Sequence, residues 1–279
     1  MKRFLLLFGC LILAFGFSCA SAEEEPIEYT SGDFAYILLE DGTAEITDYS
    51  GEADTLSIPD TIDGYSVTSI GDRAFYGCKS LTEVSIPDSV ASIGVNPFSY
   101  CLNLTQISVS PNHPTLTTAD GVLFSKETRE LICYPSALTA EQYAAPQGII
   151  SIGDYAFSYC SSLTEVSIPD SVTSIGDYAF YGCFGLTQMS IPDSVTSIGD
   201  YAFSECFGLT EVSIPDSVTS IGVNPFSYCL NLTQISVSPD HPTLTTADGV
   251  LFSKETRELI CYPSALTAEQ YAIPQGIIS

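Results

Sequence analysis

The sequence predicts a solenoid, rich in short β-strands and carrying short helical turns in each 23-residue coil. Three observations lead there. Residues 163–185, LTEVSIPDSVTSIGDYAFYGCFG, are repeated by residues 186–208 with only four changes. Steps of 23 from Gly153 land on Gly176, Gly199 and Gly222, each followed seven residues later by a cysteine, and the same Gly-to-Cys spacing links Gly71 to Cys78 and Gly94 to Cys101. Finally, one coil holds more apolar side chains than it can cover: Leu163, Val166 and Ile168 on a strand edge, Val172 and Ile175 on a second extended piece, then Ala179, Phe180 and Cys183. Only stacked neighbours can bury such a set, and a fixed period between 20 and 50 residues is the mark of that architecture.

Within the coil, Thr164, Glu165 and Ser167 alternate with the apolar residues, which gives a strand one inward side. Pro169 has no N–H for a neighbouring strand and ends the ladder, Asp170-Ser171 is turn chemistry, and Gly176 is read as the residue that allows a tight bend.

From the start of the chain, residues 1–22 read as a secretory signal. Lys2 and Arg3 precede an apolar run from Phe4 to Phe17, and Ala20-Ser21-Ala22 is a small-residue cleavage site ahead of Glu23. Cys19 would serve a lipoprotein signal instead, but Gly16-Phe17-Ser18 lacks the small aliphatic pattern that processing requires. Residues 23–54 form an acidic leader and an N-terminal cap: Phe34, Tyr36 and Leu38 alternate, Asp41-Gly42 is a hairpin turn, and Ala44 and Ile46 follow. The solenoid occupies residues 55–279. Its first coil carries five extra residues around Ile62 to Tyr65, expected to bulge at the proline corner.

The Gly-to-Gly spacing then jumps from 23 to 59 between Gly94 and Gly153. Residues 104–147 are read as an enlarged coil with a projecting hairpin that begins at Asp120-Gly121, its two strands being Val122 to Phe124 and Leu131 to Tyr134. Residues 232–275 repeat it, because residues 81–151 and 209–279 differ at three positions only, Ala91/Thr219, Asn112/Asp240 and Ala145/Ile273. Ala145 stands where other coils carry Ile168 and Ile191, so its coil is expected to be less well filled. The second copy stops at Ser279, before the Gly-to-Cys part of its coil. An uncapped edge of this kind invites self-association, and the chain reads as truncated there.

The recurring LTxVSIPDSVTSIGxxAFxxC pattern resembles the BspA-like leucine-rich repeats of bacterial and protist surface proteins, and the DGVLF segment of the enlarged coil is similar as well. A period of 23 lies in the leucine-rich-repeat range. The resemblance implies a leucine-rich-repeat solenoid and a secreted or cell-surface protein that binds host matrix or other cells. It brings no residue-level site with it, since fold does not fix function.

Charge bears on partners. Loss of Lys2 and Arg3 leaves six basic against 34 acidic residues, a formal charge of −28, which disfavours nucleic acid and anionic lipid. No apolar run after the signal reaches the ~20 residues of a membrane span. Asp170, Asp193 and Asp216 stack in one column and Asp154, Asp177 and Asp200 in another. Ca²⁺ would relieve such columns, but none of them lies in a D-x-[DN]-x-[DN]-G loop, so no metal or other cofactor is assigned.

Eight cysteines remain after the signal, enough for disulfides outside the cell. Six of them, however, form a column one coil apart beside the core phenylalanines, which favours buried thiols acting as small apolar groups. His113 and His241, each before a proline, read as loop residues, and no catalytic motif is present. Asn103 and Asn231 open N-x-[ST] triplets.

Surface columns remain as the candidate binding residues for an extracellular protein or glycan: Thr164, Thr187 and Thr210 beside Glu165, Gln188 and Glu211 as a flat polar ladder; Tyr155, Tyr178 and Tyr201; Phe184 and Phe207; and the basic hairpin tips Lys126 with Arg129 and Lys254 with Arg257. The alternative role is a structural spacer or targeting segment of a larger surface enzyme.

Overall fold

A computed structural model describes residues 26–266 together with residues 271, 274 and 277. The signal segment, Glu23 to Glu25 of the acidic leader, Ile273 and the final serine lie outside the described residues. Within them the chain is a stack of coils whose backbones hydrogen-bond to the coils before and after. No helix long and apolar enough to cross a membrane occurs among the described residues.

Each coil puts two short strands into parallel ladders. On one side Ser-Ile pairs stack from Ser151–Ile152 through Ser174–Ile175 and Ser197–Ile198 to Ser220–Ile221. On another side Gln142–Ala144, Glu165–Ser167 and Gln188–Met189 pair in register. This second ladder is not continuous, because Glu211–Ile214 pairs only with Gln234–Val237. The interruption falls where unbranched, half-buried Met189 replaces the buried valines of Val166 and Val212.

Among the described residues the third side contains no helix, contrary to the expected short helical turns, and its hydrogen bonds explain why. Tyr155, Phe157 and Tyr159 give their N–H groups to the carbonyls of Asp177, Ala179 and Tyr181 one coil on, while Ala156, Ser158 and Cys160 bond three residues back. Donors alternate between the two destinations, so no i→i−4 run forms. Tyr155 and Tyr159 also take φ of 56° and 60°, which breaks right-handed winding.

Gly176 is required, but not for bending: it is not among the glycines of positive φ. A Cβ there would sit 2.7 Å from the Asp154 backbone N and overlap the Asp154 carboxylate as well. The carboxylate is there for a reason. Asp154 Oδ1 accepts the Asp177 N–H at 2.7 Å, Asp177 Oδ1 that of Asp200 and Asp200 Oδ1 that of Val223 at the same distance. Asp plugs and Gly sockets thus lock successive coils, and this aspartate column is a structural ladder.

The core is a file of rings. Phe157, Phe180, Phe203 and Phe226 stack at centroid spacings of 4.9, 5.1 and 5.4 Å with interplanar angles no larger than 12°, and all are fully or almost fully buried. Tyr134 of the enlarged coil continues the file, 5.2 Å from Phe157. Beside it the cysteines donate to backbone: Cys183 Sγ to Phe157 O at 3.0 Å, Cys206 to Phe180 O at 3.2 Å and Cys229 to Phe203 O at 3.1 Å. All eight cysteines of the described residues are thiols. Burial pushes Cys183 and Cys229 up to about 12.

The ends and insertions are built differently from the simple expectation. The cap is a three-stranded meander, Glu28–Ser31, Phe34–Leu38 and Ala44–Tyr49, turned by Asp41-Gly42, and its last strand already pairs in parallel with Tyr65–Ile70. The extra residues of the first coil make a hairpin, Thr61 opposite Ser66, whose Asp63 accepts the Ser31 and Tyr36 hydroxyls at 2.7 and 3.0 Å and pins the cap. The expected two-stranded hairpin of the enlarged coil is a three-stranded meander: Leu116–Ala119, Val122–Ser125 and Glu130–Cys133. Asp120-Gly121 is the turn inside this meander, with φ of 51° and 83°, rather than its start. The meander does not project either. Its last strand pairs with Ser151–Ile152, and Val122, Leu123, Phe124 and Leu131 are buried, because an apolar triplet fills the core better than it coats a protrusion.

Candidate functional site

Among the polar columns, Thr164 and Thr187 turn their hydroxyls inward along the stack, donating to Glu141 O at 3.0 Å and Thr164 O at 3.2 Å. Glu165, Gln188, Thr210 and Glu211 are exposed, but the strand interruption after Met189 divides them into two short patches instead of one flat ladder. The basic tips are also partly engaged. Lys126 Nζ caps the His113 carbonyl, and Lys254 Nζ caps that of His241 at 2.6 Å. Arg129 and Arg257 are exposed at the same turns, with φ of 52° and 59°.

The histidines stand in loops, as expected, but they are buried there. His113 is 1 % exposed: Nε2 donates to Pro87 O at 3.1 Å, and Nδ1 accepts the N–H groups of Leu116 and Thr115 at 3.1 and 3.4 Å. His241 repeats this with Pro215 and Leu244. Backbone partners on both ring nitrogens leave neither free for a substrate. Asn103 and Asn231 likewise donate their side-chain amides to Lys79 O and Phe207 O, each at 2.7 Å.

What the coils gather on the outside is aromatic. Tyr155, Tyr178 and Tyr201 stack at 4.7 and 5.0 Å, and Phe184 stacks on Phe207 at 4.9 Å. Residues one or two before the cysteines join the two columns. Tyr159 lies 4.2 Å from Tyr100 and donates its hydroxyl to that of Tyr100 at 2.6 Å. Its ring meets Tyr181 and Phe184 edge-on at 5.2 and 6.3 Å, and Tyr181 in turn meets Tyr178 at 5.8 Å. Gly182 makes room: a Cβ there would stand 2.9 Å from Tyr159 Cδ1. Tyr181 donates to Glu205 Oε1 at 2.8 Å. Burial first, and then hydrogen bonding to its tyrosine neighbours, raises the Tyr159 phenol far above its ordinary range.

Tyr100, Tyr159, Tyr181 and Glu205 were not singled out in the sequence. Tyr100, Tyr159 and Glu205 stand just before a cysteine, a position that varies from coil to coil (Tyr100, Tyr159, Gly182, Glu205, Tyr228), and Tyr181 stands one residue earlier; only comparing these positions coil by coil would have flagged them.

Parallel ladders stacked at a 23-residue step around a ring-filled core define a leucine-rich-repeat solenoid. The chain belongs to the BspA type leucine rich repeat region family, whose model matches residues 48–145 and 133–257 in six copies. It is similar to a leucine rich cell surface protein from Faecalibacterium prausnitzii, at 31% identity over 92% of this chain and 66% of the other, with a TM-score of 0.48. The chain therefore spans just under two thirds of that protein's crystallised length. A leucine-rich repeat protein from Eubacterium ventriosum shares 22% identity over 76% and 78% of the two chains, TM-score 0.54. Pneumococcal vaccine antigen PcpA shares 17% over 79% and 84%, TM-score 0.55. A comparison with curated proteins gives no match.

Proposed function

We propose that the chain is a secreted or cell-surface recognition module that adheres through its repeat surface to an extracellular protein or glycan and performs no catalysis. The observation that carries this is the half-exposed aromatic band running without a gap from Tyr100 through Tyr159, Tyr181 and Tyr178 to Tyr201. Tyrosine supplies contact area and a hydroxyl at low entropic cost, and rigid aromatic anchors dominate binding energy at interfaces. The resemblance to a protein described as a cell surface protein supports the location. Engagement of both histidines with backbone supports the non-catalytic reading.

Binding of residues 23–279 to an array of matrix proteins, peptides and glycans tests it. Signal on a defined ligand, lost in Tyr159→Ser, is expected; an array that stays blank overturns the reading.

A further inference from the structure

The Ser-Ile ladder has an open edge in mid-chain. In the regular coils the isoleucine carbonyl accepts the next coil's glycine N–H: Ile70 from Gly94 at 2.7 Å, and Ile152 from Gly176 and Ile175 from Gly199 at 2.9 Å. The Ile93 carbonyl receives no backbone N–H among the described residues, and Ser92–Ile93 pairs only with Tyr65–Ile70. Because Ile70 faces this strand, the N–H of Ile93 points the other way, to the same open edge. The residues explain the stop. Val95 stands where other coils carry the plugs Asp154, Asp177 and Asp200, and the position 23 residues beyond Gly94 is Thr117, so a next coil has neither plug nor socket.

The edge opens into a cleft of about 340 Å³ between Ser92–Ile93 and the meander of the enlarged coil, a size that suits a ligand. Half-buried Ile93 and Ile132 give it apolar walls, and the Thr115 hydroxyl lines it out of reach of solvent and without a hydrogen-bond partner. Asp72, Glu127, Glu130 and Asp154 line it as well, and no basic side chain does. Lys126 of the adjoining turn is held on the His113 carbonyl. Burial, and then the charge of Asp154, raise the Glu130 carboxyl above its usual range.

An unpaired strand edge takes an extended peptide as one more strand: main-chain hydrogen bonds supply affinity, and the walls select alternate side chains. Here the apolar walls suit one set of side chains and the carboxylates suit basic groups in the other. We propose that the cleft beside Ser92–Ile93 receives an extended, basic segment of a partner protein, which pairs with the backbone of Ile93. The cleft shares no residue with the aromatic band, so this is a second site beyond the recognition reading above, and the two fail separately.

The test is fluorescence anisotropy of residues 23–279 with a labelled Lys-Val-Lys-Val-Lys-Val peptide. Its controls are the same peptide N-methylated at the valines, which keeps the charge and removes N–H donors, and Glu-Val-Glu-Val-Glu-Val. The lysine peptide is expected to bind, with N-methylation raising Kd about tenfold or more and the glutamate peptide not binding. Glu130→Gln should raise Kd about fivefold. Thr115→Val should raise it about threefold while its melting temperature stays at or above the parent's, since the hydroxyl has no partner to lose. Glu83→Gln removes an exposed charge from the other ladder and should stay within about twofold. Hydrogen exchange at the Ile93 amide should slow about tenfold or more in saturating lysine peptide.

Equal binding of the N-methylated peptide, or an Ile93 amide whose exchange does not change, would overturn strand addition. Equal binding of the glutamate peptide would overturn the basic partner, and no binding of any of the three would overturn the site. None of these results touches the aromatic band, which Tyr159→Ser on the matrix and glycan array reads independently.

Discussion

The hydroxyl of Tyr159 meets that of Tyr100 at 2.6 Å although 59 residues separate them. The whole enlarged coil lies between the two in sequence, with Tyr134 of that coil placed inside, against Phe157. On the rim, the regular coils on either side therefore touch directly and close over the insertion. Tyr159→Phe removes this bond, and a cost of about 1 kcal/mol is expected. A double-mutant cycle with Tyr100→Phe in urea should show coupling of similar size, and additive effects would mean that the bond contributes nothing.

Gly176→Ala places a methyl against the Asp154 backbone and its carboxylate. A loss of about 1–3 kcal/mol is expected from the forced shift. Gly148→Ala has open space, so its cost comes only from φ of 93°. Thermal melts in which Gly176→Ala matched the parent would contradict the plug-and-socket contact.

His113→Leu leaves the Leu116 N–H and the Pro87 carbonyl without their partner. The expected loss is about 2 kcal/mol or more, confined to one block. Hydrogen exchange should quicken along Leu116–Ala119 and Val122–Ser125, while the amides of Ser197–Ile198 stay protected.

The thiol column sets an alkaline limit. Buried Cys183 and Cys229 hold their protons to about pH 12, whereas unfolded cysteine ionises near about 8.5. The folded state then binds more protons than the unfolded one, so its stability is full below that lower value and declines as pH rises toward the higher one. Melting temperature should fall between about pH 9 and 11, and less steeply in Cys183→Ala. Iodoacetamide should label half-buried Cys78 before Cys160, Cys183 or Cys206.

Ala145 lies in register one position past the Ala144–Ser167 pair, opposite Ile168. Ala145→Ile should add about 1 kcal/mol if its side chain packs as Ile168 and Ile191 do. Denaturant midpoints identical to the parent would show that the column has no room.

The regular coil was readable because each apolar residue recurs at a fixed step, so strand, proline corner and Phe file could be placed by counting. Purpose was harder to see than position. Gly176 read as a bend and Asp154 as a repelled charge, because a one-dimensional pattern does not show that the two meet across coils. The Leu116–Ala119 strand was missed since Thr117-Thr118-Ala119 has no apolar alternation, and its pairing depends on His113, whose burial no local signal announces. Short helical turns were expected in each coil, and the Ala-Phe-Cys part has none among the described residues. The left-handed residues between them, tyrosines as often as glycines, gave no warning.

The Asp and Gly that lock neighbouring coils recur every 23 residues, so an unequal genetic crossover in register delivers complete joints between coils. Such an array can lengthen by copying errors without a redesigned interface, as the near-identical segments 81–151 and 209–279 illustrate.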